Sequence, residues 1–244
     1  GASFVSSSLS SWLSLRKNKM LHKGFCIDET TGNYLNESKL IHALKIIVQH
    51  TGKKIDLLGF DACLMASIEM ASATKQYADI LIASQEVELG AGWNYALVLA
   101  PFLFSSLEPS AWAQHMVSAY QQTYNNIINE YTLSAVHLAR IEELEKNIDT
   151  VAQLLCSALL KQENLCVREL LRKSRHKQCC THFDEPSYVD LHHWYHNMKI
   201  LAPYIRFNTS HKQDEEACIR SLTDTITTGL DLMKEMIIAN GTGT

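Results

Sequence analysis

The chain has 244 residues, 46% hydrophobic and 20% charged, with a net charge of −4 at pH 7. That composition supports a sizeable buried core and excludes general disorder. The length suits one large domain, or one domain with a helical appendage. The absence of a large basic block argues against a nucleic-acid partner, and no apolar run approaches the roughly 20 residues that span a bilayer.

Residues 1–23 read as an irregular Ser-rich and basic segment, with a weak apolar pattern at Leu9, Trp12, Leu13 and Leu15. The stretch Arg16-Lys17-Asn18-Lys19 with Lys23 reads as a solvated loop. Residues 12–23 are also a candidate processing site, because nicking concentrates in exposed loops. The sequence opens on Gly1 with no charged-then-apolar leader after it, which reads as a processed chain or a fragment. Gly24 to Ile27 predicts a short extended piece closed by a turn over Asp28–Asn33. From Asn36, a capping residue, the apolar positions Leu40, Ile41, Leu44, Ile47 and Val48 follow helical spacing, and Thr51-Gly52 ends the helix.

Ile55–Phe60 predicts a buried strand, followed by a helix over about 64–77 and a second strand from Ala78 to Ser84. A crossover of this length implies a right-handed parallel unit. A loop over Gln85–Tyr95 carries Gly90 and Gly92. Helices follow at roughly 95–105 and 109–127, the second opened by Pro109 in a favoured first-turn position. Residues 131–138 form a further strand. Beyond Arg140 the chain reads as almost wholly helical, over about 142–162, 164–176, 187–200 and 214–238. The Ser-rich start and a Gly-Thr tail are the low-complexity stretches.

The informative segment is Ile55-Asp56-Leu57-Leu58-Gly59-Phe60-Asp61-Ala62-Cys63. A short strand stops abruptly and delivers an acid and a thiol two residues apart. In an open α/β sheet, ligands gather at the carboxyl ends of parallel strands. A thiol there, near a helix N-terminus, has a route to becoming a thiolate. Cys63 is thus the candidate nucleophile, with Asp61 selecting substrate. The plainer readings are an inert core cysteine at 63 and a helix-capping carboxylate at 61. The seven cysteines, at 26, 63, 156, 166, 179, 180 and 218, are odd in number and irregular in spacing, so no disulfide framework is expected.

His192 and His196 share a helix face by spacing, with Asp190 nearby, but His193 stands where a zinc protease needs its glutamate. Cys179, Cys180 and His182 do not match zinc-finger spacing, so no metal site is expected. The Asn-x-Ser/Thr triplets at Asn36, Asn208 and Asn240 are weak signals.

Several linked blocks resemble the clostripain family of cysteine peptidases: Asp28–Leu35, Asp56–Ala71, Ala83–Glu88, Gly90–Tyr95 and Thr132–Val136. The resemblance is dense over about 24–140. It implies an α/β fold of the caspase-like kind, a mostly parallel sheet flanked by helices. The core would cover 24–140, with a largely helical region over 141–244 packing on it. It implies a Cys/His dyad that cleaves peptide bonds after Arg or Lys, with Cys63 as nucleophile and Asp61 in the pocket for the basic side chain. Gln85, Glu86 and Trp93 leave the end of the neighbouring strand and are candidate cleft residues. The backbone N–H at Cys63 is a candidate oxyanion donor.

Two departures qualify that picture. The family's histidine sits in a His-Gly pair, and no such pair occurs here. The expectation is that it lies upstream of Gly1, which would then be the glycine of that pair and a second oxyanion donor. His22, the nearest upstream histidine, reads as a loop residue, and His42 and His50 as boundary residues. An acid expected between the two glycines of the Gly-x-Gly-Trp loop is Ala91. The resemblance admits calcium as a cofactor, though the residues identify none. It implies a peptide or protein substrate and a secreted or cell-envelope setting. The reading from another class is a catalytically inactive module of the same fold that holds a peptide without cutting it.

Overall fold

The computed structural model describes residues 26, 28, 30–103, 106–160, 165–181, 183, 188–204 and 212–243, with the backbone alone at 165–166 and 212–215. The expected processing segment, Gly1, His22 and most of the extended piece at 24–27 lie outside the described residues. The chain divides into two compact units. One runs to Ala135 and resumes at Ala239; the other is Val136–Ile238.

The first unit opens with the expected turn. Asp28 accepts from Thr30 N at 2.9 Å and from Thr31 Oγ1 at 2.5 Å, and Gly32 takes the left-handed φ of 68°. Helix α1 (Glu37–Thr51) starts at Asn36, whose side chain accepts from Lys39 N. It stops at Gly52, which turns left-handed at φ 71° and donates back to Val48 O. Strand β1 (Ile55–Gly59) pairs in parallel with β2 (Ala78–Ala83), with Leu57 opposite Ile80 and Gly59 opposite Ile82. Helix α2 (Ile68–Thr74) connects them.

Residues 64–67 are not helical, contrary to their periodicity. Leu64 takes φ 63° and donates to Glu86 O, and Ala66 donates to Ser84 O. Hydrogen bonds to a neighbouring segment override local helix preference there. Ser67 caps α2 by accepting from Met70 N.

Helix α3 (Tyr95–Leu99) leads into a 3-10 turn (Ala100–Leu103), then α4 (Pro109–Tyr124) and β3 (Thr132–His137). A fourth strand, β4 (Ile237–Thr242), lies where the sequence reads as helix end and Gly-Thr tail. The sheet is mixed, in the order β1-β2-β3-β4. Its centre is apolar: Ile80, Leu81, Ile82, Leu133 and Ala135 are buried, and α4 packs Met116, Val117 and Tyr120 inward. Each such aliphatic burial is worth about 1.5–3 kcal/mol.

The second unit is helical, with α5 (Ile141–Leu160), α6 (Leu165–Ser174), α7 (Leu191–Leu201), a 3-10 turn (Ala202–Tyr204) and α8 (Lys212–Met236). Helix α8 packs on α5 and α7, and α6 packs on α7. Val151, Leu155, Leu170, Met198 and Ile226 form the core. A buried polar node sits within it. Asn147 on α5 accepts from Tyr195 Oη on α7 at 3.2 Å and donates to Thr225 O on α8 at 2.7 Å. Asp190 caps α7 by accepting from His193 N, and Tyr188, just ahead of the cap, is exposed.

No helix among the described residues is long and apolar enough to cross a membrane.

Candidate active site

The ends of β1 and β2 meet through a small set of hydrogen bonds. Phe60 N continues the β1–β2 ladder to Ile82 O. The chain then turns through Asp61, Ala62 and Cys63 and runs back beside residues 84–88, fastened by the Leu64 and Ala66 bonds. The thiol is caught in the same seam. Cys63 Sγ accepts from Glu88 N at 3.2 Å and faces Glu88 O at 3.8 Å. Cys63 is half-buried, and α2 begins only at Ile68. The expected help from a helix N-terminus is therefore not available, since that effect fades within one turn.

Thr132, the first residue of β3, anchors the β2 exit loop. Its Oγ1 accepts from Gln85 N at 2.9 Å and Glu86 N at 3.2 Å and shares a proton with Ser84 Oγ at 3.0 Å. Gln85 and Glu86 are half-buried beside the Cys63 turn, with their amides committed to that anchor. Thr132 and Ser84 carry no sequence signal for this role beyond bracketing the loop.

Asp61 is exposed and does not cap α2, a role Ser67 fills. Its Oδ2 accepts from Trp93 N at 3.1 Å and from Tyr95 Oη at 2.8 Å. The Asp61 carboxylate raises the Tyr95 pKa, so that hydroxyl stays a donor. The Gly90–Trp93 turn is shaped to fit. Gly92 has φ 63°, and its carbonyl accepts from Tyr124 Oη at 2.5 Å. The buried Trp93 indole packs over Gly59, where a Cβ would stand 2.7 Å from the ring.

A residue of the charged loop after β2, with no role in the sequence analysis, completes the group. Glu88 is 7% exposed. One carboxyl oxygen accepts from Trp93 Nε1 at 3.5 Å, and the other meets no donor among the described residues. Burial first, then the proton-accepting and negatively charged Asp61, push Glu88 up to about 8, against a lowering by Trp93. At neutral pH it is a carboxylic acid beside a carboxylate. Tyr120 and Tyr124 are also raised, first by burial and then by neighbouring charges including Glu88 and Asp61, so both remain neutral phenols. The arrangement offers a thiol, an open carboxylate and a second, masked acid on one rim.

Other predicted positions lie elsewhere. His192 and His196 stack on one face of α7, 6.3 Å apart, as their spacing requires. They edge a surface depression with Asp231 and Lys234. The His193 ring bonds to Thr181 Oγ1. Calcium takes six to eight oxygen ligands, and no group of three or more His, Cys, Asp or Glu among the described residues is gathered to hold an ion.

The model of the clostripain family matches residues 10–240. No curated protein sequence matches the chain. Among solved structures it is similar to a B. fragilis cysteine protease, at 18% identity and TM-score 0.54, covering 89% of this chain and 77% of that one. It is also similar to a secreted C11 cysteine protease from Bacteroides thetaiotaomicron in complex with an irreversible peptide inhibitor, at 20% identity and TM-score 0.57. That match covers 88% of this chain and 51% of the other, so the chain spans about half the length of that relative. A clostripain from Bacteroides thetaiotaomicron ATCC 29148 in complex with peptide inhibitor BTN-VLTK-AOMK matches at 13% identity and TM-score 0.50, over 91% and 79% of the two chains. These likenesses show a caspase-like α/β fold, the class the sequence predicts.

Proposed function

The chain belongs to the clostripain family, and on that premise we propose that it is a cysteine endopeptidase cutting after arginine or lysine, with Cys63 as nucleophile and Asp61 in the pocket. The observation that carries the reading is the joint placement of the two residues. Asp61 and Cys63 leave the carboxyl end of a parallel strand, where ligands gather in such sheets, against the exit loop of its neighbour.

In this reading the Cys63 sulfur, after losing its proton to a histidine, attacks the scissile carbonyl carbon. The backbone N–H at the Cys63 turn stabilises the oxyanion. The histidine returns its proton to the departing amine, and water then hydrolyses the thioester and restores the thiol. Asp61 receives the guanidinium or ammonium group through charge-assisted hydrogen bonds. Trp93 N and Tyr95 Oη both donate to its Oδ2. Gln85 and Glu86, tied to Thr132, and Trp93 wall the cleft. The peptide carried by one neighbour's inhibitor, VLTK, accords with a peptide guest.

The dyad's histidine comes by resemblance from a His-Gly pair, which these residues lack. The second reading, from another class, is a module of the same fold that holds a peptide without cutting it.

Small peptide reporters ending in Arg, Lys or a neutral residue, offered to the complete gene product and its Cys63→Ala variant, decide between them. Cleavage after Arg or Lys that vanishes in the variant supports the peptidase. Turnover of neutral reporters alone removes the basic specificity. Equal, null activity from two folded proteins leaves the binding module.

A further inference from the structure

We propose that Glu88 is the second acid of the specificity pocket, and that a basic side chain enters by displacing its proton, so that recognition of arginine or lysine is linked to pH. The inference rests on the reading of Asp61 as the pocket acid. Ala91 removes the acid that the resemblance places on the facing turn. Glu88 supplies a carboxyl group from the same loop, three residues earlier in the chain.

Three observations carry the proposal. Glu88 is nine-tenths buried, yet one of its oxygens meets no donor among the described residues. A buried carboxylate in that position would be unsatisfied, whereas a carboxylic acid can hand its proton to the neighbouring Asp61. The side chain is also fixed in place. Its own amide holds the Cys63 sulfur, and its other oxygen faces the Trp93 indole. Finally, among the described residues no cation bonds to it or contributes to its electrostatics. The ionisable groups around it are Asp61 from the β1 end, Cys63 from the same turn, Tyr95 at the start of α3, and Tyr120 and Tyr124 from α4. All are neutral or negative.

Two carboxyl groups sharing a site cannot both ionise readily unless a cation joins them. An incoming guanidinium or ammonium is such a cation. It stabilises both carboxylates, and the Glu88 proton departs to solvent. The raised pKa of Glu88 is consistent with this geometry and sets the range in which the proton is present to be lost. Well below that range, affinity for a basic guest rises with pH by up to about tenfold per pH unit, and then levels off. A neutral guest releases no proton.

The test is calorimetric titration of this chain with a short peptide amide ending in arginine and with its norleucine counterpart. Measurements at pH 6.5 and 9 use two buffers of different ionisation heat. The Cys63→Ala form is used so that the thiol supplies no proton. The expected result is release of close to one proton per arginine peptide at pH 6.5 and almost none at pH 9. Affinity should strengthen at least tenfold between the two. In E88Q the release should disappear and the pH slope should flatten.

Arginine-peptide binding without proton release, or an E88Q protein with an unchanged slope, overturns the role of Glu88 and leaves the basic pocket standing. An arginine peptide that binds no better than the norleucine peptide overturns the basic pocket, and the proposal with it. If E88Q fails to fold, the proton count of the Glu88 protein decides alone.

Discussion

Gly92 stands so close to Asp61 that a Cβ at position 92 would lie 2.6 Å from Asp61 Oδ2. The turn and the carboxylate are fitted to one another, and the backbone at 92 is left-handed. Gly92→Ala therefore carries two penalties. The left-handed conformation costs a non-glycine residue about 1–2 kcal/mol, and the methyl group must push Asp61 out of its bonds with Trp93 N and Tyr95 Oη. The expected outcome is a folded protein with a melting temperature several degrees lower and at least tenfold weaker binding of arginine peptides. Calorimetric titration beside thermal melting reads both.

Glu88 makes stability depend on pH with a definite sign. Its folded pKa, about 8, lies above the ordinary value of 4.5. The folded state therefore holds the proton more tightly than the unfolded chain. The stabilisation is complete below pH 4.5 and is lost as pH rises through 8. Within that window each pH unit removes up to about 1.4 kcal/mol from this source. Urea unfolding of E88Q between pH 5 and 9 should show a visibly shallower decline than the parent. Parallel curves would mean that Glu88 titrates alike in both states.

Thr132 is expected to be sensitive out of proportion to its size. Thr132→Val keeps the shape and removes the acceptor for Gln85 N and the partner of Ser84 Oγ. Leaving a buried donor unsatisfied costs about 1–3 kcal/mol. Stability should fall by that amount, and amide exchange at residues 85–88 should quicken. Thr132→Ser, which keeps the hydroxyl, should restore most of both.

In the helical unit, Gly229→Ala opposes two effects of different size. Alanine in a helix interior is favoured over glycine by about 1 kcal/mol. Here the added Cβ would meet Asn147 Oδ1 and the Tyr195 ring. Overpacking a tight core costs about 1–3 kcal/mol, and breaking the bond between Asn147 and Tyr195 adds to that. The melting temperature should therefore fall; a rise would show that the node relaxes freely.

The parts of the fold read correctly in the sequence are those with local causes. Asn36 and Gly52 bracket α1 because a side-chain acceptor and a left-handed glycine act within one turn. The β1 run, its stop and the Asp61–Cys63 pair are visible because an apolar stretch ends in a turn. Misread elements have distant causes. Leu64 to Ala66 look helical until their amides find Glu86 O and Ser84 O. Strand β4 looks like a tail because its pairing in the sheet depends on residues far away in the chain. Glu88 was in plain sight in a charged loop. Only the three-dimensional arrangement shows that it is buried, that Trp93 and Asp61 are its neighbours, and that its amide holds the sulfur.

That last contact has a consequence for how such a site can diversify. The group that holds the Cys63 sulfur is the amide of residue 88, and every amino acid except proline has one. The side chain at 88, by contrast, faces Asp61 and Trp93. On the proposed reading, drift at this position would rewrite the chemistry of the guest while the hold on the Cys63 sulfur stayed intact. A lineage could then wander from basic to neutral preference through residue 88 without losing the contact that seats the thiol.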